Sequence, residues 1–90
     1  MDTIRQLVDT ELLNAKSKWP RIRGAHEGAS LIQEELEEFR EAIRKDQSMM
    51  NTDAADELVQ IAAMAIRTLE DVYNNGEPLG GIPLHRRMFY

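Results

Sequence analysis

Apolar residues recur along most of the chain at intervals of three and four, the period of a helix with one buried face. Ile4, Leu7, Val8, Leu12 and Ala15 predict a first helix from about Asp2 to Lys18, capped by Asp2 or Thr3. Trp19-Pro20 ends it, because the residue before a proline is driven out of the α region. Arg21 to Gly28, with two glycines, reads as a connector. Ile32, Leu36, Phe39 and Ile43 form the stripe of a second helix, from about Ala29 to Lys45, with Gly28 or Ser30 near its start. After a polar turn, Asp46 to Asn51, a third helix runs from about Thr52 to Tyr73. Thr52 or Asn51 caps it, and Asp53 and Asp56 in its first turn complement the helix dipole.

The third helix differs from the others in the width of its apolar arc. Leu58, Val59, Ile61, Ala62, Ile66, Leu69 and Tyr73, with the alanines between them, span roughly 200° at about 100° per residue. A helix on the surface of a monomer needs about half of that. The width predicts packing on two sides, and hence a bundle completed by a second chain, as a homodimer or homotetramer. Asn74-Asn75-Gly76 stops the helix. The expected organisation is one all-α helical domain over residues 1–73, with three main helices, and an irregular tail over 74–90 that carries Pro78, Gly80, Gly81 and Pro83.

Composition narrows the function. Ninety residues allow one domain, and a chain of that size buries only about 60–65% of its unfolded surface, which favours oligomerisation. Cysteine is absent, so no disulfide forms and no thiolate is available to a metal or a substrate. This suits a cytoplasmic protein. No apolar run approaches the roughly 20 residues of a membrane span, and Met1-Asp2-Thr3-Ile4-Arg5 lacks the layout of a signal peptide. The net charge is -5, yet the stretch from Glu27 to Glu57 alone holds ten acidic against three basic residues, a net of -7. Such a middle repels nucleic-acid polymers and attracts divalent cations.

The carboxylates of Glu34-Glu35-Leu36-Glu37-Glu38 are not equivalent. On a helical wheel with Ile32 at zero, Glu35 falls at about -60°, within the apolar arc, with Glu38 near -120° and Glu34 near -160°. A charge within an apolar arc is costly unless it is paired or holds a metal. Glu37 and Glu41 have Arg40, Arg44 and Lys45 at pairing distance, an ordinary solvated face. Glu34, Glu35 and Glu38 have no basic neighbour at i±3 or i±4, and a hard dication would offset their repulsion. On the third helix Asp53, Asp56, Glu57, Gln60 and Arg67 form one polar stripe that could complete the site. Asp53 and Asp56 are equally explained as dipole complements. Arg67 could hold a phosphate or pair with Glu70 or Asp71. Trp19 could stack on a base or close one end of the core, and His26 could position a ligand or play a structural part. No Glu-x-x-His is present, which excludes a ferritin-like di-iron site.

Glu34, Glu35 and Glu38, an EExxE motif followed by an acidic motif on the next helix, resemble the all-α MazG-like nucleotide pyrophosphohydrolases. Lys18-Trp19-Pro20, Ala25-His26-Glu27-Gly28, Ile32 to Ile43 and Glu57 to Arg67 are similar to short members of that family typical of phage and prophage genomes. The resemblance implies hydrolysis of a nucleoside triphosphate to a monophosphate and pyrophosphate. It implies Mg²⁺ (or Mn²⁺) on Glu35, Glu38 and Glu57, with Glu34 as a metal-free carboxylate that takes a proton from water. The family's second motif is ExxD. Glu57 matches its glutamate, but Gln60 stands where the aspartate is expected, and its amide oxygen can ligate a cation without adding charge. Asp53 or Asp56 could substitute. The alternative is a non-catalytic helical dimer that binds a protein or nucleotide and keeps a relic acidic site.

Overall fold

The structure, a computed structural model, describes residues 3–74. They form three α-helices: α1 (Ile4–Lys18), α2 (Ala25–Lys45) and α3 (Thr52–Thr68), the last continued by a π-helical turn, Leu69–Tyr73. The all-α expectation holds. Asp2 and the tail from Asn75 onward, including the rest of the Asn74-Asn75-Gly76 stop, lie outside the described residues.

Each boundary has a local cause. Thr3 caps α1 in a reciprocal box: its hydroxyl accepts from the Gln6 amide (3.1 Å), and the Gln6 side chain accepts from the Thr3 amide (2.7 Å). Trp19, held extended by Pro20 (φ -124°, ψ 144°), ends the helix as expected. α2 begins one turn earlier than its apolar stripe suggests, at Ala25, and the Gly28 amide already bonds the Gly24 carbonyl (3.1 Å). Gly28 is therefore a helical residue and not the end of the connector. Asn51 ties the α2–α3 turn. Its Oδ1 accepts from the Ala54 amide (3.0 Å), and its Nδ2 donates to the carbonyls of Ala42 (3.0 Å) and Asp46.

α3 lies in the middle, packed against α2 on one flank and α1 on the other, while α1 and α2 scarcely meet. Val8 and Leu12 of α1 bury against Ala63, Val59, Ala62 and Ile66. Ala15, Ile22 and Met64 form a second cluster with Leu31, Ile32 and Val72. The wide apolar arc of α3 thus does serve two packing partners, but both belong to its own chain. Leu58 and Tyr73, on the same arc, stay exposed.

α2 runs antiparallel to α3, and the two pack tightly at Gly28. A Cβ placed there would stand 2.6 Å from Thr68 Cγ2, 2.7 Å from Thr68 Oγ1 and 3.2 Å from Thr68 Cβ. The Thr68 hydroxyl donates to the Met64 carbonyl (2.8 Å), which holds the side chain in that position. Gly28→Ala gains about 1 kcal/mol of helix propensity but forces α2 away from α3, an overpacking cost of roughly 1–3 kcal/mol. The expected net result is a melting temperature lower by several degrees, partly recovered when Thr68→Ala is added. A stabilised Gly28→Ala protein would show that this approach is loose.

Candidate metal centre and adjoining cleft

The antiparallel register brings Glu35 and Glu38 of α2 opposite Glu57 of α3. One carboxylate oxygen from each lies within 4.8 Å of the other two. The oxygens of a Mg²⁺ shell at about 2.1 Å from the ion stand roughly 3–4 Å apart, so a small side-chain rotation closes the three onto a cation. Glu35 and Glu57 are half-buried and Glu38 is exposed. Among the described residues the ion pairs are Lys16–Glu70, Arg23–Glu27, Lys45–Glu41 and Arg67–Asp71, and none involves the three. Glu57 Oε2 is buried with no hydrogen-bond partner. A buried carboxylate oxygen without a donor calls for a cation or a proton, and this donor set of oxygens alone suits a hard metal ion.

The electrostatics agree. Partial desolvation raises the Glu35 carboxyl from its ordinary 4.5 to about 7, helped by the close approach of Glu57 and by the charges of Glu38 and Glu57. Glu38 is also raised, first by desolvation and then by its contact with Glu57. In contrast, Glu27 is lowered by hydrogen bonds from the Arg23 amide and guanidinium.

Two depressions flank the cluster. The smaller, about 330 Å³, is lined by Glu38, Glu41, Asp53, Asp56 and Glu57, with Lys45 at its side. Asp53 and Asp56 are exposed on this wall, beside the three-carboxylate group but outside it. Gln60, half-buried one turn beyond Glu57, belongs to neither lining. The larger depression, a cleft of about 480 Å³, opens on the other side of Glu35. Ile22, Leu31 and Met64 form its apolar floor, Trp19 and Pro20 one wall, and Glu27 and Glu34 line the α2 side. Trp19 lines the cleft and is 64% exposed, so it closes no core. His26 is exposed on the first turn of α2, away from both linings.

Arg67 takes the second of the two roles open to it. It is 3% exposed, with Nε 3.3 Å from Asp71 Oδ2, and Glu70 pairs with Lys16 instead, at 2.6 Å. Its Nη1 donates to the Ala15 carbonyl (3.1 Å) and its Nη2 to those of Trp19 and Pro20 (both 2.7 Å). It meets the cleft as part of the wall and not as a free cation. Asp71 adds to this clasp: its Oδ2 accepts from the Ile22 amide (2.9 Å), and its carbonyl accepts from Arg21. Neither Ile22, the most deeply buried large side chain, nor Asp71 is marked by a motif in the sequence. The i, i+4 spacing of Arg67 and Asp71 was the available signal.

No protein-family model, curated protein or solved structure matches the chain. Among the described residues no helix is long and apolar enough to cross a membrane.

The raised Glu35 carboxyl has a definite pH signature. Its proton is held more tightly in the folded state, so its contribution to metal-free stability is full below about pH 4.5 and is lost as pH rises to about 7. A cation must displace that proton. We expect the melting temperature of the metal-free protein to fall across this window, and less so in Glu35→Gln. We also expect the increase caused by millimolar Mg²⁺ to be larger near pH 8 than near pH 6. Thermal melts with and without Mg²⁺ at both pH values check this. A metal effect independent of pH would exclude Glu35 as a ligand.

Proposed function

We propose that the chain is a Mg²⁺-dependent nucleoside triphosphate pyrophosphohydrolase of the MazG-like kind, which converts an NTP or dNTP to its monophosphate and pyrophosphate. The observation that carries this reading is the convergence of Glu35, Glu38 and Glu57, with no basic partner, beside a cleft that Glu35 lines together with the exposed Trp19. These three carboxylates would hold Mg²⁺ or Mn²⁺, which supplies charge neutralisation at the phosphates and an activated water. The chain's own residues bind and orient the rest of the nucleotide. Trp19 offers a stacking face, Ile22, Leu31 and Met64 exclude water beneath the base, and Glu35 marks the boundary between the base cleft and the phosphate side. The Arg67–Asp71 clasp holds the Trp19–Ile22 wall in place. Ile4, Leu7, Leu13 and Leu58 are exposed apolar residues, which supports a homodimer or homotetramer, and we place the protein in the cytoplasm. One residue favours a second reading: Gln60 withholds a charge where the resembled motif has an aspartate, as in a helical dimer that keeps an acidic site without catalysis.

Pyrophosphate release from a panel of NTPs and dNTPs with Mg²⁺ or Mn²⁺ separates the two. We expect turnover of at least one substrate, lowered about a hundredfold by Glu35→Gln, as for loss of one electrostatic contact to the transition state, and unchanged by Glu37→Gln. Gln60→Asp should raise turnover and tighten metal binding. Absence of release from every substrate with either ion would leave the non-catalytic reading.

A further inference from the structure

The cleft beside Glu35 also bears on which base it takes. Its polar side chains can be sorted by what they already hold. Arg67 is committed to three backbone carbonyls and Asp71. Arg23 and Glu27 bind each other at 3.2 Å, and Glu27 Oε1 also accepts from the Arg23 amide. Glu35 faces Glu38 and Glu57. Glu34 is left, an exposed carboxylate on the cleft lining with no hydrogen bond or ion pair among the described residues. A flat ligand against Trp19, above Ile22, Leu31 and Met64, therefore meets in Glu34 the lining carboxylate that belongs neither to an ion pair nor to the three-carboxylate cluster, with two acceptor oxygens side by side and no donor.

The common bases differ on the edge they would offer it. Adenine and cytosine each set an amino donor beside an acceptor nitrogen, which a carboxylate repels. Uracil and thymine carry one N–H between two carbonyl oxygens. Guanine alone presents two adjacent donors, N1–H and the 2-amino group, matched to a carboxylate. A volume of about 480 Å³ admits a purine. We infer that Glu34 reads the edge of a guanine base stacked on Trp19, so that the preferred substrate class is guanine nucleotides. This rests on the nucleotide reading above, but it concerns base binding and needs neither metal nor hydrolysis.

Trp19 is the only tryptophan of the chain, so its fluorescence reports on the cleft directly. The experiment titrates the protein in EDTA with GMP, IMP, AMP, CMP and UMP. IMP differs from GMP only in lacking the 2-amino group. The expected result is quenching by GMP with a Kd about tenfold below those of IMP and the others, the scale of one bidentate base contact. Glu34→Gln, an exposed change that leaves the core intact, should bring the GMP-to-IMP ratio close to one. Equal binding of GMP and IMP, a preference that survives in Glu34→Gln, or no quenching by any nucleotide would each overturn the inference. Pyrophosphate release at equal rates from all bases would also overturn it while leaving the hydrolase reading intact. Selective GMP binding without pyrophosphate release would support the inference and remove the hydrolase.

Discussion

Three carboxylates from two helices face one another only if those helices keep a single axial register, and the α2–α3 hairpin depends on that register throughout. Asn51 fixes it at the turn by bonding the end of α2 and the start of α3 with one side chain. The Gly28–Thr68 approach fixes it at the far end, where only a residue without a Cβ lets the backbones close. Glu35, Glu38 and Glu57 lie between these two points. A shift of one residue would turn Glu57 by about 100° and move it by about 1.5 Å, which is enough to dissolve the cluster. The repulsion among the carboxylates is held by structure elsewhere in the hairpin, and this is what makes the site receptive to a cation.

The opposite flank of α3 is held in another way. The apolar contact of α1 is built from Val8, Leu12 and Ala15, and it is supplemented by buried polar groups: Arg67, Glu70 and Asp71. Buried ion pairs add little net stability against a well-packed apolar replacement, whereas losing one partner costs roughly 3–5 kcal/mol. Their value here is directional. Arg67 donates to the carbonyls of Trp19 and Pro20, past the end of α1, and is a second donor to the Ala15 carbonyl, which already accepts from the Trp19 amide. The π-helical turn at Leu69–Tyr73 carries Glu70 and Asp71 on the buried side together, toward Lys16 and Ile22.

Much of this was legible in the chain. Helical periodicity gave three helices, and the wheel position of Glu35 marked it as a carboxylate that its own helix could not satisfy. In the fold Glu35 is half-buried and takes part in none of the ion pairs among the described residues. Glu57, without a basic neighbour, was separable from Glu41 for the same reason. Other features depend on tertiary placement. Gly28 reads as a breaker because propensity is local, but the proximity of Thr68 forty residues away makes glycine the fitting residue in that helix. Asp53 and Asp56 share the stripe of Glu57 yet remain at the solvent edge, since a wheel has no axial coordinate. Arg67 lies on the same stripe, and its fate was set by carbonyls that the sequence gives no means of locating.

The arrangement of α1 and α2 on opposite flanks of α3 has a consequence for how the molecule assembles. The hairpin of α2 and α3 closes a short loop, whereas α1 reaches its partners across about fifty residues, as in the Arg67 bond to Ala15. Loop-closure entropy favours the nearer contact first. The acidic cluster belongs entirely to the hairpin, while the wall of the cleft, Trp19 and Pro20, is carried in with α1. The chain thus divides into an early unit that holds the three carboxylates and a later one that completes the cleft. Amide protons of α1 should be the first to exchange when the native state opens in part. Transient undocking of α1 would open the cleft to solvent while leaving the three carboxylates in register.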